Sequence, residues 1–140
     1  MKIYLASSWR NDKQPGAVLA LRNAGHEVYD FRNPEPGNLG FHWSAIDPGW
    51  KAWSTGQFRG HLDHIIAERG FSLDFDAMKW ADAGVLLLPC GRSAHLEAGF
   101  FVGAGKPLHI VLSPDGFEPE LMYKMAMAIH LSITDLIPAL

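Results

Sequence analysis

The chain opens on a short apolar, β-prone run, KIYLA (2–6), and then turns to SSWRND, where serine, asparagine and aspartate offer helix N-caps. QPGAVLALRNAG next sets Ala17, Val18, Leu21 and Ala24 at helical spacing. It ends on Gly25, a residue suited to the turn that closes a helix, before the β-branched stretch HEVYDF. Strand, helix, strand in that order predicts a βαβ unit.

Residues 32–56 break this rhythm. They hold three of the nine prolines and four glycines, so long regular elements are not expected before about Ser54. Three tryptophans, Trp43, Trp50 and Trp53, fall within eleven residues of one another, which marks 32–57 as a functional loop or lid inserted in a single domain covering 1–140. QFRGHLDHIIAERG then predicts a helix with Phe58, Leu62, Ile65 and Ile66 on one face and Gly70 closing it. A second short helix is expected from Ser72 to about Ala83.

GVLLLP (84–89) is a continuous apolar run, the mark of a strand buried on both faces, and RSAHLEAGFFVGAG after it reads as helix until the glycines at 103 and 105. KPLHIVLSP supplies the next strand. The tail predicts a helix around EPELMYKMAMA, a short strand at IHLS and a last helical turn in ITDLIPAL, with Met122, Met125 and Met127 as core or interface packing. Strands alternating with helices imply a parallel sheet flanked by helices, a three-layer α/β domain.

Composition narrows the partners. The 140 residues are 48% hydrophobic, enough for one continuous core, and the formal charge of −3 gives no electrostatic footprint for extended nucleic acid. A lone cysteine makes no internal disulfide, and no apolar run approaches a membrane span. A cytoplasmic protein is expected, with no membrane partner.

In open parallel sheets ligands bind beyond the carboxyl ends of the strands. Three segments should converge there: YLASSWRN, PCGRSAH and SPDGF. Ser7, Ser8, Trp9 and Arg10 are therefore candidate substrate contacts, as are Gly91, Arg92, Ser93 and His95. The start of the helix near Ser93, with its unsatisfied N–H groups and Arg92, suits an anion such as phosphate. Glu97 stands about one turn into that helix, among Ala, Leu, Gly and Phe, and Asp74 and Asp76 are placed at the start of the preceding one. Two carboxylates on one ligand are what cleavage at a sugar's anomeric carbon requires: one attacks, the other manages the leaving group's proton. An acid in a helix's early turns is also a routine dipole partner.

KIYLASSWRN, DFDAMKWADAGVLLLP and HLEAGFFVGAGKPLHIVL, three blocks in that order, resemble the nucleoside 2-deoxyribosyltransferase family, which includes the 2′-deoxynucleoside 5′-monophosphate N-glycosidases. The resemblance implies a flavodoxin-like α/β/α sandwich, N-glycosidic chemistry on a 2′-deoxynucleoside or nucleotide, and no cofactor or metal. It places the family's glutamate nucleophile on Glu97, its aspartate on Asp74 with Asp76 beside it, and the tyrosine that holds the nucleophile on Tyr4. It also implies a homodimer or larger homo-oligomer. Two features depart from the family: CGRSAHLE, where small glycines would form a phosphate pocket, and the tryptophan-rich segment 41–58.

Other chemistries compete. His61 and His64 are spaced to share a metal, against the plainer reading of a polar helix face. Ser93, Asp115 and His130 follow the chain order of an α/β-hydrolase triad, although His95 replaces the elbow's closing glycine. Cys90, near a helix start and Arg92, is expected to have a lowered pKa, against the commoner fate of a packed thiol. A non-catalytic nucleotide-binding module would use the same cleft.

Overall fold

The computed structural model describes residues 1–115 and 117–140. In chain order the elements are β1 (Lys2–Ala6), α1 (Gln14–Asn23), β2 (Glu27–Tyr29), α2 (Thr55–His61), α3 (Ile65–Trp80), β3 (Ala83–Leu87), α4 (Arg92–Gly103), β4 (Leu108–Val111), β5 (Ala128–His130) and α5 (Ile133–Leu136). The chain divides into two compact units, one of Met1–Asp30 with Met78–Leu140 and one of Phe31–Ala77. The second extends well past the loop expected at 32–57, because it also takes in α2 and most of α3.

The first unit is a five-stranded, wholly parallel sheet in the order β2-β1-β3-β4-β5. This is the flavodoxin-like winding, with its reversal between β1 and β3. Strand alternation sorts the side chains into two layers. Ile3, Leu5, Val85, Leu87 and Val111 share one core with Ala17, Val18 and Leu21 of α1 and Leu136 of α5. Tyr4 takes the other face, where its ring meets Phe101 of α4. Tyr29, Tyr4, Gly84 and Leu108 stand in one register row across four strands.

Both long helices of this unit end as their glycines predict. Gly25 and Gly105 have φ of 93° and 69°. His26 N donates to Leu21 O while Gly25 N donates to Arg22 O, and Lys106 N to Phe101 O while Gly105 N donates to Val102 O. Each set is a Schellman closure, which satisfies carbonyls that the helix would otherwise strand.

In the second unit the expected helix over 57–70 is broken. Asp63 N and His64 N make only three-residue bonds to Gly60 O and His61 O, and His64 Nδ1 then accepts Ile66 N at 3.1 Å, capping a new helix. Gly70 does not close that helix; it lies inside α3, where a Cβ would come 3.0 Å from Phe41. The supposed apolar face is exposed, Ile65 at 72%. A final correction concerns the tail: EPELMYKMAMA forms only a 3₁₀ turn, Leu121–Met125. Met122, Met125 and Met127 are exposed, so the turn has no buried stripe to extend it into an α-helix and they are not core.

Candidate functional site at the carboxyl edge of the sheet

The loop after β1 is tied to the end of β3. Ser7 Oγ donates to Leu87 O at 2.9 Å, and Asn11 Nδ2 donates to Ser7 Oγ at 3.1 Å. Asn11 is 1% exposed and accepts Lys13 N on Oδ1, so it starts α1 from inside the core. Ser8 Oγ accepts Arg10 N, while Trp9 and Arg10 are exposed. Lys13 Nζ reaches Ser113 Oγ at 3.5 Å and Asp115 at 3.2 Å, which brings the segment after β4 to the same edge. Of SPDGF, Gly116 lies outside the described residues.

α4 begins at this edge without a side-chain cap. Its N-cap is Gly91, and Gly91, Arg92 and Ser93 are all exposed. His95 has both ring nitrogens engaged: Nδ1 lies 2.7 Å from Gly91 O and Nε2 2.9 Å from the Tyr123 hydroxyl. The spacing of residues 95 and 123 gives no sign of this contact. Burial, together with Cys90 and Glu120, pushes the Tyr123 phenol up.

Ala94, Ala98 and Phe101 are the buried residues of α4, and Glu97, half-buried, completes their stripe. It stands one turn before Phe101, and a helical side chain leans toward the N-terminus, which here is the sheet edge. Its charge is felt at Cys90: burial first, and the Glu97 carboxylate second, push that thiol up to about 12. The expected low-pKa thiol is thus corrected, because desolvation and a neighbouring acid outweigh the helix terminus. Tyr4, 1% exposed, stacks on Tyr29 with centroids 5.4 Å apart and meets Phe101 at 5.9 Å. Tyr4 and Glu97 therefore belong to the layer on the α4 side of the sheet.

Asp74 and Asp76 belong to the second unit, in the second half of α3 and not at a helix start; Asp74 is half-buried and Asp76 exposed. The tryptophan-rich segment of that unit forms its own aromatic cluster. Trp43 meets Phe41, Trp53 and Phe58 edge to face, and His61 stacks on Trp53 at 4.0 Å and 3°. Asp47 fastens the cluster by accepting Trp53 Nε1 at 2.6 Å and Gly49 N at 2.8 Å, bonds that hold its carboxyl below the ordinary range. His61 and His64 are spent on Gln57 O and the Ile66 amide, and no three metal-ligating side chains gather among the described residues.

The hydrolase triad is not assembled. Asp115 pairs with Lys13, and His130 is buried with Nε2 3.0 Å from His109 Nδ1 and Nδ1 3.8 Å from Asp135. Ser93 is left on the exposed first turn of α4 without that histidine or that aspartate.

No family model matches the chain, and no curated protein does. Solved structures share its fold. A 2-deoxyribosyltransferase of Bacillus psychrosaccharolyticus superposes with a TM-score of 0.66 at 23% identity, over 98% of this chain and 90% of that one. The CMP N-glycosidase BcmB of Clostridium botulinum does so with a TM-score of 0.56 at 16% identity, over 99% of this chain and 97% of that one. Their common ground with this chain is the flavodoxin-like α/β architecture. No helix among the described residues is long and apolar enough to cross a membrane.

Proposed function

We propose that this chain cleaves or transfers the N-glycosidic bond of a 2′-deoxynucleoside or its 5′-monophosphate. A Glu97 oxygen attacks C1′, the C1′–N bond breaks, and its electron pair leaves with the base, which takes a proton from Asp74. An ester between Glu97 and the sugar remains. Water, giving up a proton, or a ring nitrogen of a second base then attacks C1′ and frees the carboxylate. Tyr4 orients that carboxylate, Asp76 and the 7–10 loop contact the substrate, and the first turn of α4 with Arg92 and Ser93 takes the 5′-phosphate. No cofactor or metal enters the scheme. A cytoplasmic homodimer or larger assembly belongs to the same proposal; sedimentation at working concentration checks the assembly.

The observation that carries this proposal is the placement of Glu97. It is the one acid on the sheet-facing stripe of α4, beside the Tyr4–Phe101 layer, at the edge where this fold binds ligands. The two solved relatives, one a deoxyribosyltransferase and one an N-glycosidase, favour glycosyl chemistry over other uses of that edge. The test is to incubate the protein with a panel of deoxynucleosides and their 5′-monophosphates and to quantify free base. Release that vanishes in Glu97→Ala and falls at least tenfold in Asp74→Asn is expected, the usual scale of lost acid–base assistance being about 10²–10⁴. Binding without release by the wild type would identify a nucleotide-binding module and overturn the proposal.

A further inference from the structure

Tyr123 lies in the 3₁₀ turn Leu121–Met125, in the connection from β4 to β5, yet its hydroxyl reaches His95 on α4. The two rings are nearly parallel, at 18° with centroids 5.9 Å apart. Hydrogen-bond chemistry fixes the direction of the link. A carbonyl oxygen only accepts, so the 2.7 Å contact with Gly91 O requires the proton on His95 Nδ1. In the neutral ring Nε2 is then an acceptor, and Tyr123 O–H donates to it. Two bonds of the same sense run from the tail, through the imidazole, into the peptide that opens α4.

That peptide has little else to hold it. Gly91 offers no capping side chain, its backbone is extended at φ −100° and ψ −158°, and the backbone bond from His95 N to its carbonyl is long, at 3.4 Å. The imidazole, at 2.7 Å, is the shorter partner for the same oxygen. His95 and Glu97 are two residues apart, about 200° around the helix axis, so they look in different directions. His95 therefore acts on Glu97 through the backbone.

We infer that Tyr123 and His95 are positioning residues for Glu97: together they fasten the first turn of α4, and so set where the carboxylate stands, without touching substrate. The kinetic consequence alone rests on the activity proposed above. Misplacement of a reacting group by even 1 Å is costly in rate, on the order of a hundredfold, so a loosened first turn should reduce kcat more than substrate affinity.

The experiment has two arms. Nitrogen-15 NMR of the imidazoles at neutral pH should show His95 as the Nδ1–H tautomer, and Tyr123→Phe, which keeps the ring, should shift the backbone amides of Arg92 and Glu97. An Nε2–H tautomer in the wild type, or an unmoved Glu97 amide in the variant, overturns the inference whether or not the protein turns over a nucleoside. In the kinetic arm, run on a deoxynucleoside without a 5′-phosphate so that the anion contact of the same turn is not read, Tyr123→Phe should lower kcat by about tenfold at unchanged KM. His95→Asn keeps the donor at the δ position and His95→Gln the acceptor near the ε position, so each breaks one bond of the pair and both should fall as far. Combining Tyr123→Phe with His95→Asn should cost no more than either alone. A raised KM at unchanged kcat, or fully additive losses, would mean substrate contact or separate roles, and either result refutes the assignment. Failure of the wild type to release base overturns the proposed function and leaves the NMR arm to decide this one.

Discussion

Phe101 occupies the space that a side chain on Gly84 would claim: a Cβ built on Gly84 falls 2.5 Å from Phe101 Cδ2 and 2.6 Å from Cγ. Gly84 is also the register partner of Tyr4, so the missing side chain on β3 is what lets α4 lay its aromatic ring beside the tyrosine. The relation joins strand register to the site, because Phe101 stands one helical turn beyond Glu97 on the same stripe.

Gly84→Ala should therefore overpack the interface between α4 and the sheet and cost roughly 1–3 kcal/mol. The loss is read as a lower midpoint in urea with an unchanged slope. Combining it with Phe101→Leu should recover part of the stability, since the smaller side chain vacates the contested volume. Loss without any recovery in the double variant would show that the ring is not the obstacle.

Lys106 closes the end of α3. Its Nζ donates to Met78 O at 3.1 Å, Lys79 O at 2.6 Å and Ala81 O at 2.6 Å, using all three ammonium hydrogens on carbonyls at a helix C-terminus. Lys106→Met keeps most of the stem and removes the donors. The expected cost is about 1.5–3 kcal/mol, the range for charged hydrogen bonds, and calorimetry should show a fall of several degrees in Tm. An unchanged Tm would show that water replaces the ammonium without loss.

Much of the fold is written in short-range pattern. Predominantly apolar runs at 3–6, 84–88 and 108–111 read as strands because parallel strands are buried on both faces, and Gly25 and Gly105 mark helix ends because few other residues tolerate positive φ. The failures come from side chains that act on backbone. His64 caps α3 with its own ring, so an apparently continuous helical pattern stops at His61 and restarts. Gly70 reads as a terminator but makes room for Phe41, far from it in sequence. At the candidate site, the convergence of the segments after β1, β3 and β4 was legible from topology alone. Its bracing was not: Asn11 on Leu87 O, and Tyr123 on His95, pair residues that only the folded chain brings together.

The buried imidazole of His109 gives folding a pH dependence. Burial first, and the neighbouring His130 second, lower the pKa of His109, and Asp135 stands 3.8 Å from the far nitrogen of His130. The folded state resists protonation of His109 while the unfolded chain accepts it below about 6.5, the ordinary value for imidazole. Stability is thus full above that pH and declines as pH falls below it, until the folded-state group also titrates. Urea titrations at pH 7.5 and 5.0 should show the loss for the wild type and a smaller loss for His109→Asn, which cannot be protonated. Equal losses in both would assign the dependence to other groups, His26 first among them, since burial and the N-terminal ammonium lower it too.

Cys90 reports directly on the charge of Glu97. With its pKa pushed up to about 12, by burial first and by the carboxylate second, the thiol should be nearly inert to iodoacetamide at neutral pH. Glu97→Gln removes the negative neighbour and leaves the burial, so the pKa should fall without reaching that of a free cysteine. Alkylation followed by mass spectrometry at pH 8 should accordingly run about threefold to tenfold faster in Glu97→Gln than in the wild type, with both far slower than glutathione. A Glu97→Ala variant confounds the comparison by opening space, which is why the isosteric amide is the decisive one. Equal rates in wild type and Glu97→Gln would mean that the carboxylate is turned away from the sheet edge, and a nucleophile so turned has no path to an anomeric carbon bound there.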